Sequence, residues 1–275
     1  MSGTGTPIVF IHGLWMHATS WDDWVSLAND RGYRGIAPGW PGDADTAQAC
    51  RDDPDPIANR GIGEVTEHFA KVIAGLDEAP IVIGHSFGGL VAQRLLGMGL
   101  ARGGIAIAPA QFRGVKRLPL VQLRTAWPVL GHPGSKPRAI SQTADQFARG
   151  FANAVSREES DALHAQYAIP APALPLFEAG AANLSARTDA TVDTARERGP
   201  LLIIAGGADR TVPEATVRAA FKRYRRNPSV TEYRVFGGRS HSQPVDSGWR
   251  DVADYALDFL ARNHLGPRLV ARVDG

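Results

Sequence analysis

The sequence predicts an α/β fold, with a mostly parallel sheet of about six strands, helices on both faces and a helical segment inserted between two strands. Three observations carry this. Short apolar runs alternate with amphipathic stretches of helical spacing, the pattern of repeated βαβ units. A Gly84-His85-Ser86-Phe87-Gly88 stretch lies between one such run and one such helix. The alternation stops near Gln111 and resumes near Leu201, which marks the insertion.

In order along the chain, Pro7-Ile8-Val9-Phe10-Ile11 is a short apolar run ending at His12-Gly13 and reads as a buried strand. Trp21 to Ala28 reads as a helix, with Ser20 as N-cap, acidic Asp22 and Asp23 in the first turn and Gly32 as the stop. Tyr33 to Pro38 reads as the next strand, and Gly39 to Pro56 as a loop rich in Gly, Pro and Asp. Ile62 to Leu76 is an amphipathic helix with Val65, Phe69, Val72, Ile73 and Leu76 on one face. Strands follow at Ile81 and at Gly104 to Pro109, separated by the helix after the Ser86 stretch.

Gln111 to Gly199 shows no strand pattern, only helical segments near Leu118–Leu130, Thr143–Val155, Arg157–Tyr167 and Leu176–Leu184, with a Pro-rich stretch from Pro170 to Pro175. The alternation returns with a strand at Leu201–Gly206, a helix at Glu214–Arg225 opened by Pro213, a strand at Val230–Phe236 and a closing helix at Trp249–Leu260. The tail from Gly266 to Gly275 reads as loose.

Composition narrows the function classes. The chain has 275 residues, room for one α/β domain with an insertion. A formal net charge of +2 is too small to argue for nucleic acid or an anionic membrane as partner. The single cysteine, Cys50, excludes an intramolecular disulfide and is placed in a polar loop. Met1 to Thr6 has neither a basic n-region nor a long apolar stretch. No secretory leader or membrane span is expected, and a soluble cytoplasmic protein is the default.

The chemistry is read from strand ends, because ligands of an open α/β sheet bind outside the carboxyl ends of its strands. Ser86 follows the Ile81 strand in a G-x-S-x-G pattern, where a tight strand-to-helix turn projects the hydroxyl and a Cβ at either flanking glycine would collide. Asp209 follows the Leu201 strand, and His241 lies in the loop after the Val230 strand. Taken singly, Asp209 reads as a turn or cap residue and His241 as a surface histidine. Together and in the order Ser, Asp, His they read as a triad. A serine hydroxyl needs an imidazole to take its proton, and the imidazole needs a carboxylate to hold its tautomer. Oxyanion donors would be the Phe87 amide and the Leu14 amide, with Trp15 the alternative, since His12-Gly13-Leu14-Trp15 ends the first strand. His12 reads as a packing residue under that loop, not a metal ligand, and His85 as a packed elbow residue.

These pieces — His12-Gly13, Gly84-x-Ser86-x-Gly88, Gly206-x-x-Asp209 with Val212-Pro213, and Gly238-x-x-His241 — resemble the α/β-hydrolase superfamily. The resemblance implies an α/β-hydrolase fold with a core of residues 1–110 and 200–275, and a lid formed by residues 111–199. Because the chain begins almost at the third strand of the family, about six strands are expected. A serine nucleophile argues against the branches that use aspartate.

For substrate, the sequence offers position only. Trp15, Met16, His17, Trp40, Leu123 and Trp127 are placed around the pocket. Leu118, Leu120, Val121, Val129 and Leu130 either line it or pack the lid on itself. Arg113, Lys116, Arg117 and Arg124 make the start of the lid basic, as a solvated surface or toward a carboxylate-bearing substrate. The expectation is a cofactor-independent serine hydrolase acting on a small-molecule ester, lactone or related carbonyl compound. The alternatives are C–C bond hydrolysis, cyanohydrin cleavage or perhydrolysis by the same triad, and a non-catalytic binding module. The oligomeric state, monomer or homodimer, stays open.

Overall fold

A computed structural model describes residues 5–117 and 119–267. Leu118, the first residues of the N-terminal segment and most of the tail lie outside the described residues. The first part runs β1 (Pro7–Ile11), α1 (Asp22–Asp30), β2 (Arg34–Ile36), α2 (Ala47–Asp52), α3 (Ile62–Ala74), β3 (Ile81–His85), α4 (Phe87–Gly97) and β4 (Gly103–Ile107). The inserted segment holds α5 (Leu120–Leu130), β5 (Ala139–Ile140), α6 (Ala144–Gly150), α7 (Arg157–Tyr167), β6 (Ala171–Pro172) and α8 (Leu174–Ala181). The chain closes with β7 (Leu201–Gly206), α9 (Glu214–Phe221), β8 (Thr231–Phe236) and α10 (Trp249–Arg262).

The large sheet has six strands, all parallel, in the order β2-β1-β3-β4-β7-β8. Strands β1, β3, β4 and β7 are buried throughout, which is why they read as continuous apolar runs rather than alternating ones. Each face has its own core. Ile8 and Phe10 point toward Trp21 and Trp24 beside α1 and toward Val252, Phe259 and Leu260 of α10. Val9 and Ile11 share the opposite face with Val65 and Phe69 of α3, Leu90 and Leu95 of α4, and Val217 of α9.

The strand order also locates the site. From β1 the chain steps outward to β2, then returns across β1 to β3 and continues the other way. The carboxyl ends of β1 and β3 therefore flank the point where the winding reverses, where such sheets open a crevice. In register, Ile11 pairs with Gly84 and His85 with Ile107, so the loops after β1, β3 and β4 leave the sheet side by side.

Several local expectations change. Ser20 is not an N-cap: a 3-10 turn at Ala18–Trp21 precedes α1, and the His17 side chain caps that turn. The stretch from Gly39 to Pro56 is not all loop. Thr46 caps the short helix α2, which places Cys50 fully buried beside Ile57 and Ile169, and burial pushes its thiol pKa up. The insertion is not free of strands, since β5 and β6 pair antiparallel. Pro172 is tolerated there because a two-residue ribbon needs few ladder donors. Among the described residues no helix is long and apolar enough to cross a membrane.

Candidate active site

Ser86 has φ 54° and ψ −119°, a strained conformation for a residue with a Cβ. Its backbone is pinned on both sides. The Ser86 amide donates to Ile107 O at 2.9 Å, and the Ser86 carbonyl accepts from the Ala110 amide at 2.9 Å and from Leu90 at 3.1 Å. The glycines are required by contact: a Cβ on Gly84 would sit 2.0 Å from Gly88 O, and one on Gly88 2.1 Å from Ile11 O. A Cβ on Gly13 would lie 2.7 Å from Ser86 Cβ, so the loop after β1 runs directly against the serine.

His241 and Asp209 meet below the same opening. His241 Nδ1 lies 2.7 Å from Asp209 Oδ2, with both side chains almost wholly buried. The other carboxylate oxygen of Asp209 accepts from the Thr211 and Val212 amides, each at 2.8 Å. A carboxylate can only accept, so Nδ1 carries the hydrogen of this bond and Nε2 is the ring nitrogen left for another partner. His241 and Ser86 line one cavity. The loop around His241 is braced by a buried chain in which Ser240 Oγ contacts Ser242 Oγ at 2.9 Å, Ser242 Oγ donates to Asp246 and Arg239 pairs with Asp246 at 2.8 Å. Burial pushes the Asp246 carboxyl up, against the hydrogen bonds from Ser242 and Gly248 and the charge of Arg239.

Two rings hold the His241 imidazole. His85 lies 4.5 Å away between centroids, and Phe151 meets it edge-on at 5.0 Å. Burial first, and then His241, hold the His85 imidazole well below the ordinary histidine range, so it stays neutral. Phe151 stacks on Phe147, one turn earlier in α6. The sequence does not mark either phenylalanine as a site residue; their i, i+4 spacing is the available signal.

The cavity over Ser86 has a volume of about 70 Å³ and is mainly apolar. Leu14, Trp15 and Phe87 line it from the sheet side, Leu123, Ala126 and Leu130 from α5 and Leu176 from α8. Gln122 also faces it, tied to Gln111 and Thr216 at 2.8 Å each. Phe87 is the first residue of α4, so its amide has no partner within the helix.

Of the residues expected around the pocket, Trp15 and Leu123 reach this cavity. The other four are placed elsewhere. Met16 is buried with Phe147, Phe151 and Leu163. His17 bonds Thr19 Oγ1 through Nδ1 and the Ala44 carbonyl through Nε2. Trp40 stacks on His12 and donates to its carbonyl at 3.0 Å. Trp127 points to solvent and is 66% exposed. His12 itself lies 2.9 Å from Asp43 Oδ2 through Nε2 and packs under the loop. Trp15 has φ 64°, and its indole N–H donates to Ile140 O at 2.9 Å. Backbone bonds from His17 N to Tyr167 O and from Ile169 N to Trp15 O fasten the same loop to the insertion.

A strained serine at a strand-to-helix elbow, at the crossover of a six-stranded parallel sheet, defines a class, and the comparison with known families agrees. The model described as the alpha/beta hydrolase family matches residues 8–255, and the chain belongs to that family. Among solved structures, an extracellular α/β-hydrolase from a Paenibacillus species, described as sharing homology with tobacco salicylic acid binding protein 2, superposes with TM-score 0.69. It is 20% identical over 92% of this chain and 98% of that one. A monoacylglycerol lipase from Paleococcus ferrophilus gives TM-score 0.64 at 21% identity over 94% of each chain. A thermophilic esterase from Thermogutta terrifontis gives 0.65 at 19% over 96% of this chain and 92% of that one. At such identities the likeness is one of fold. No curated protein matches the chain.

Proposed function

We propose that this protein is a serine hydrolase of small carboxylic esters or lactones, working through Ser86, His241 and Asp209. The observation that carries the reading is the buried Asp209–His241 pair at 2.7 Å, whose imidazole opens onto the same apolar cavity as the strained Ser86. His241 Nε2 takes the hydroxyl proton as Ser86 Oγ attacks the carbonyl carbon. The Phe87 and Leu14 amides hold the oxygen that becomes negative. The alcohol leaves with the proton from His241, and water, deprotonated by the same nitrogen, then releases the acid and frees Ser86. The inserted segment acts as a lid whose α5 and α8 side chains form the acyl or alcohol site. The mainly apolar lining favours this over solvent-exposed chemistry, because donors in a dry cavity act more strongly on developing charge.

The test is fluorophosphonate labelling followed by peptide mass spectrometry, with turnover of p-nitrophenyl esters. The label is expected on Ser86, and Ser86→Ala is expected to lose about 10³-fold or more in kcat. A label elsewhere, or undiminished turnover by the alanine variant, sinks the reading.

A further inference from the structure

Beside the small cavity over Ser86 lies a larger cleft of about 600 Å³. Trp15 and Thr125 line both, so the two spaces adjoin. Helix α5 divides its side chains between them: Leu123 and Ala126 face the Ser86 cavity, and Val121 and Arg124 the outer cleft. The outer cleft is basic. Arg124 from α5, Arg149 from α6 and Arg210 from the loop that carries Asp209 all line it, and no acidic residue does. Among the described residues none of the three makes an ion pair, and Asp145, next in sequence to the cleft-lining Gln146, pairs instead with Arg157 at 2.7 Å. With a net charge of only +2 for the whole chain, three unpaired guanidinium groups around one cleft are a local arrangement.

A guanidinium fork matches a carboxylate in plane and charge. Such a group in the outer cleft leaves the apolar space beside Ser86 for the rest of the molecule. Resting on the ester-hydrolase reading, we infer that the substrate carries a carboxylate away from its scissile ester, as in a half-ester of a dicarboxylic acid. The arginine cluster binds that carboxylate while the ester carbonyl reaches Ser86. The three residues are positioning and specificity residues, remote from the bond that breaks.

Binding, separated from turnover, tests this. Titration calorimetry on Ser86→Ala compares monobutyl glutarate with its neutral analogue, butyl methyl glutarate. The half-ester is expected to bind about tenfold tighter at low salt, since exposed charge pairs are weak singly and three act together. The preference should shrink in about 0.5 M NaCl. It should vanish when Arg124→Gln, Arg149→Gln and Arg210→Gln are combined, and survive in large part when the same three become lysine. Circular dichroism shows that each combination is folded. Equal affinity for the two ligands, or a preference that persists in the glutamine combination, overturns the inference. The ester reading is judged separately, by turnover of the neutral diester in the protein with Ser86 intact. Loss of the charge preference with diester hydrolysis retained removes only the carboxylate site.

Discussion

On the sheet side of the Ser86 cavity, position is set by main-chain atoms in hard contact. Gly13, Gly84 and Gly88 lie where a single added carbon would strike backbone or the serine itself, and the end of β4 with the loop after it clamps the Ser86 amide and carbonyl. On the insertion side, position is set by side chains with room around them. Leu123 lines the cavity yet is 40% exposed, and Leu120 and Trp127 on the same helix are 74% and 66% exposed. Gly180, which also faces the cavity, has nothing within 4 Å of an added Cβ. One wall is fixed by main-chain contact and the other has room to vary. Core packing tolerates no such slack, so pocket variation belongs on the insertion.

The sharpest way to break this contrast is to add the same methyl group on each side. Gly84→Ala is expected to cost about 4 kcal/mol or more, since its Cβ meets backbone that cannot yield. Gly180→Ala, within α8, is expected to stabilise by about 0.5–1 kcal/mol through helix propensity while narrowing the cavity. Urea unfolding measures both, and similar values would erase the distinction.

A smaller effect comes from a place where the insertion side is tightly packed. Phe151 is buried against His241 and His85. Phe151→Ala is expected to cost about 3 kcal/mol and to lower kcat in the fraction that stays folded, because the imidazole loses one retaining ring. Unchanged kcat in the folded fraction would show that His85 and Asp209 hold the ring without it.

The smallest effect is electrostatic. Glu178 of α8 accepts the Ile62 amide at 2.7 Å, standing in for a cap at the start of α3. Burial pushes its carboxyl above the ordinary range, so the folded chain holds this proton more tightly than the unfolded one. Its contribution is therefore full below the ordinary carboxylate pKa and is lost as pH rises through the folded value. Glu178→Gln keeps an acceptor and removes the titration. Its melting temperature relative to the parent should rise between about pH 4 and about pH 7. A flat difference would show that the carboxyl ionises in the folded protein as freely as in the unfolded one.

What the sequence made legible follows the same division. The elbow, the strand ends carrying Asp209 and His241, and the buried strands are encoded locally, by glycine spacing and apolar runs. The pocket is not. Met16, His17 and Trp40 follow strand ends as Trp15 does, yet only Trp15 turns into the cavity. Its left-handed backbone and its bond to Ile140, 125 residues away, set that direction. Cys50 reads as a loop residue because Thr46 caps a helix too short to show periodicity, and Phe151 carries no site signal because its partner His241 is distant in sequence.

The stitching of residues 15–17 to residues 167–169 is made of main-chain bonds, and main-chain bonds do not read side-chain identity. This seam is therefore a natural crossover point for recombination. A foreign insertion grafted between β4 and β7 can keep the loop after β1 in place if it presents extended backbone at the level of Ala168–Ile169, with an N–H at the second position. A graft whose chain is helical there would cut the loop loose, even with the serine, histidine and aspartate untouched.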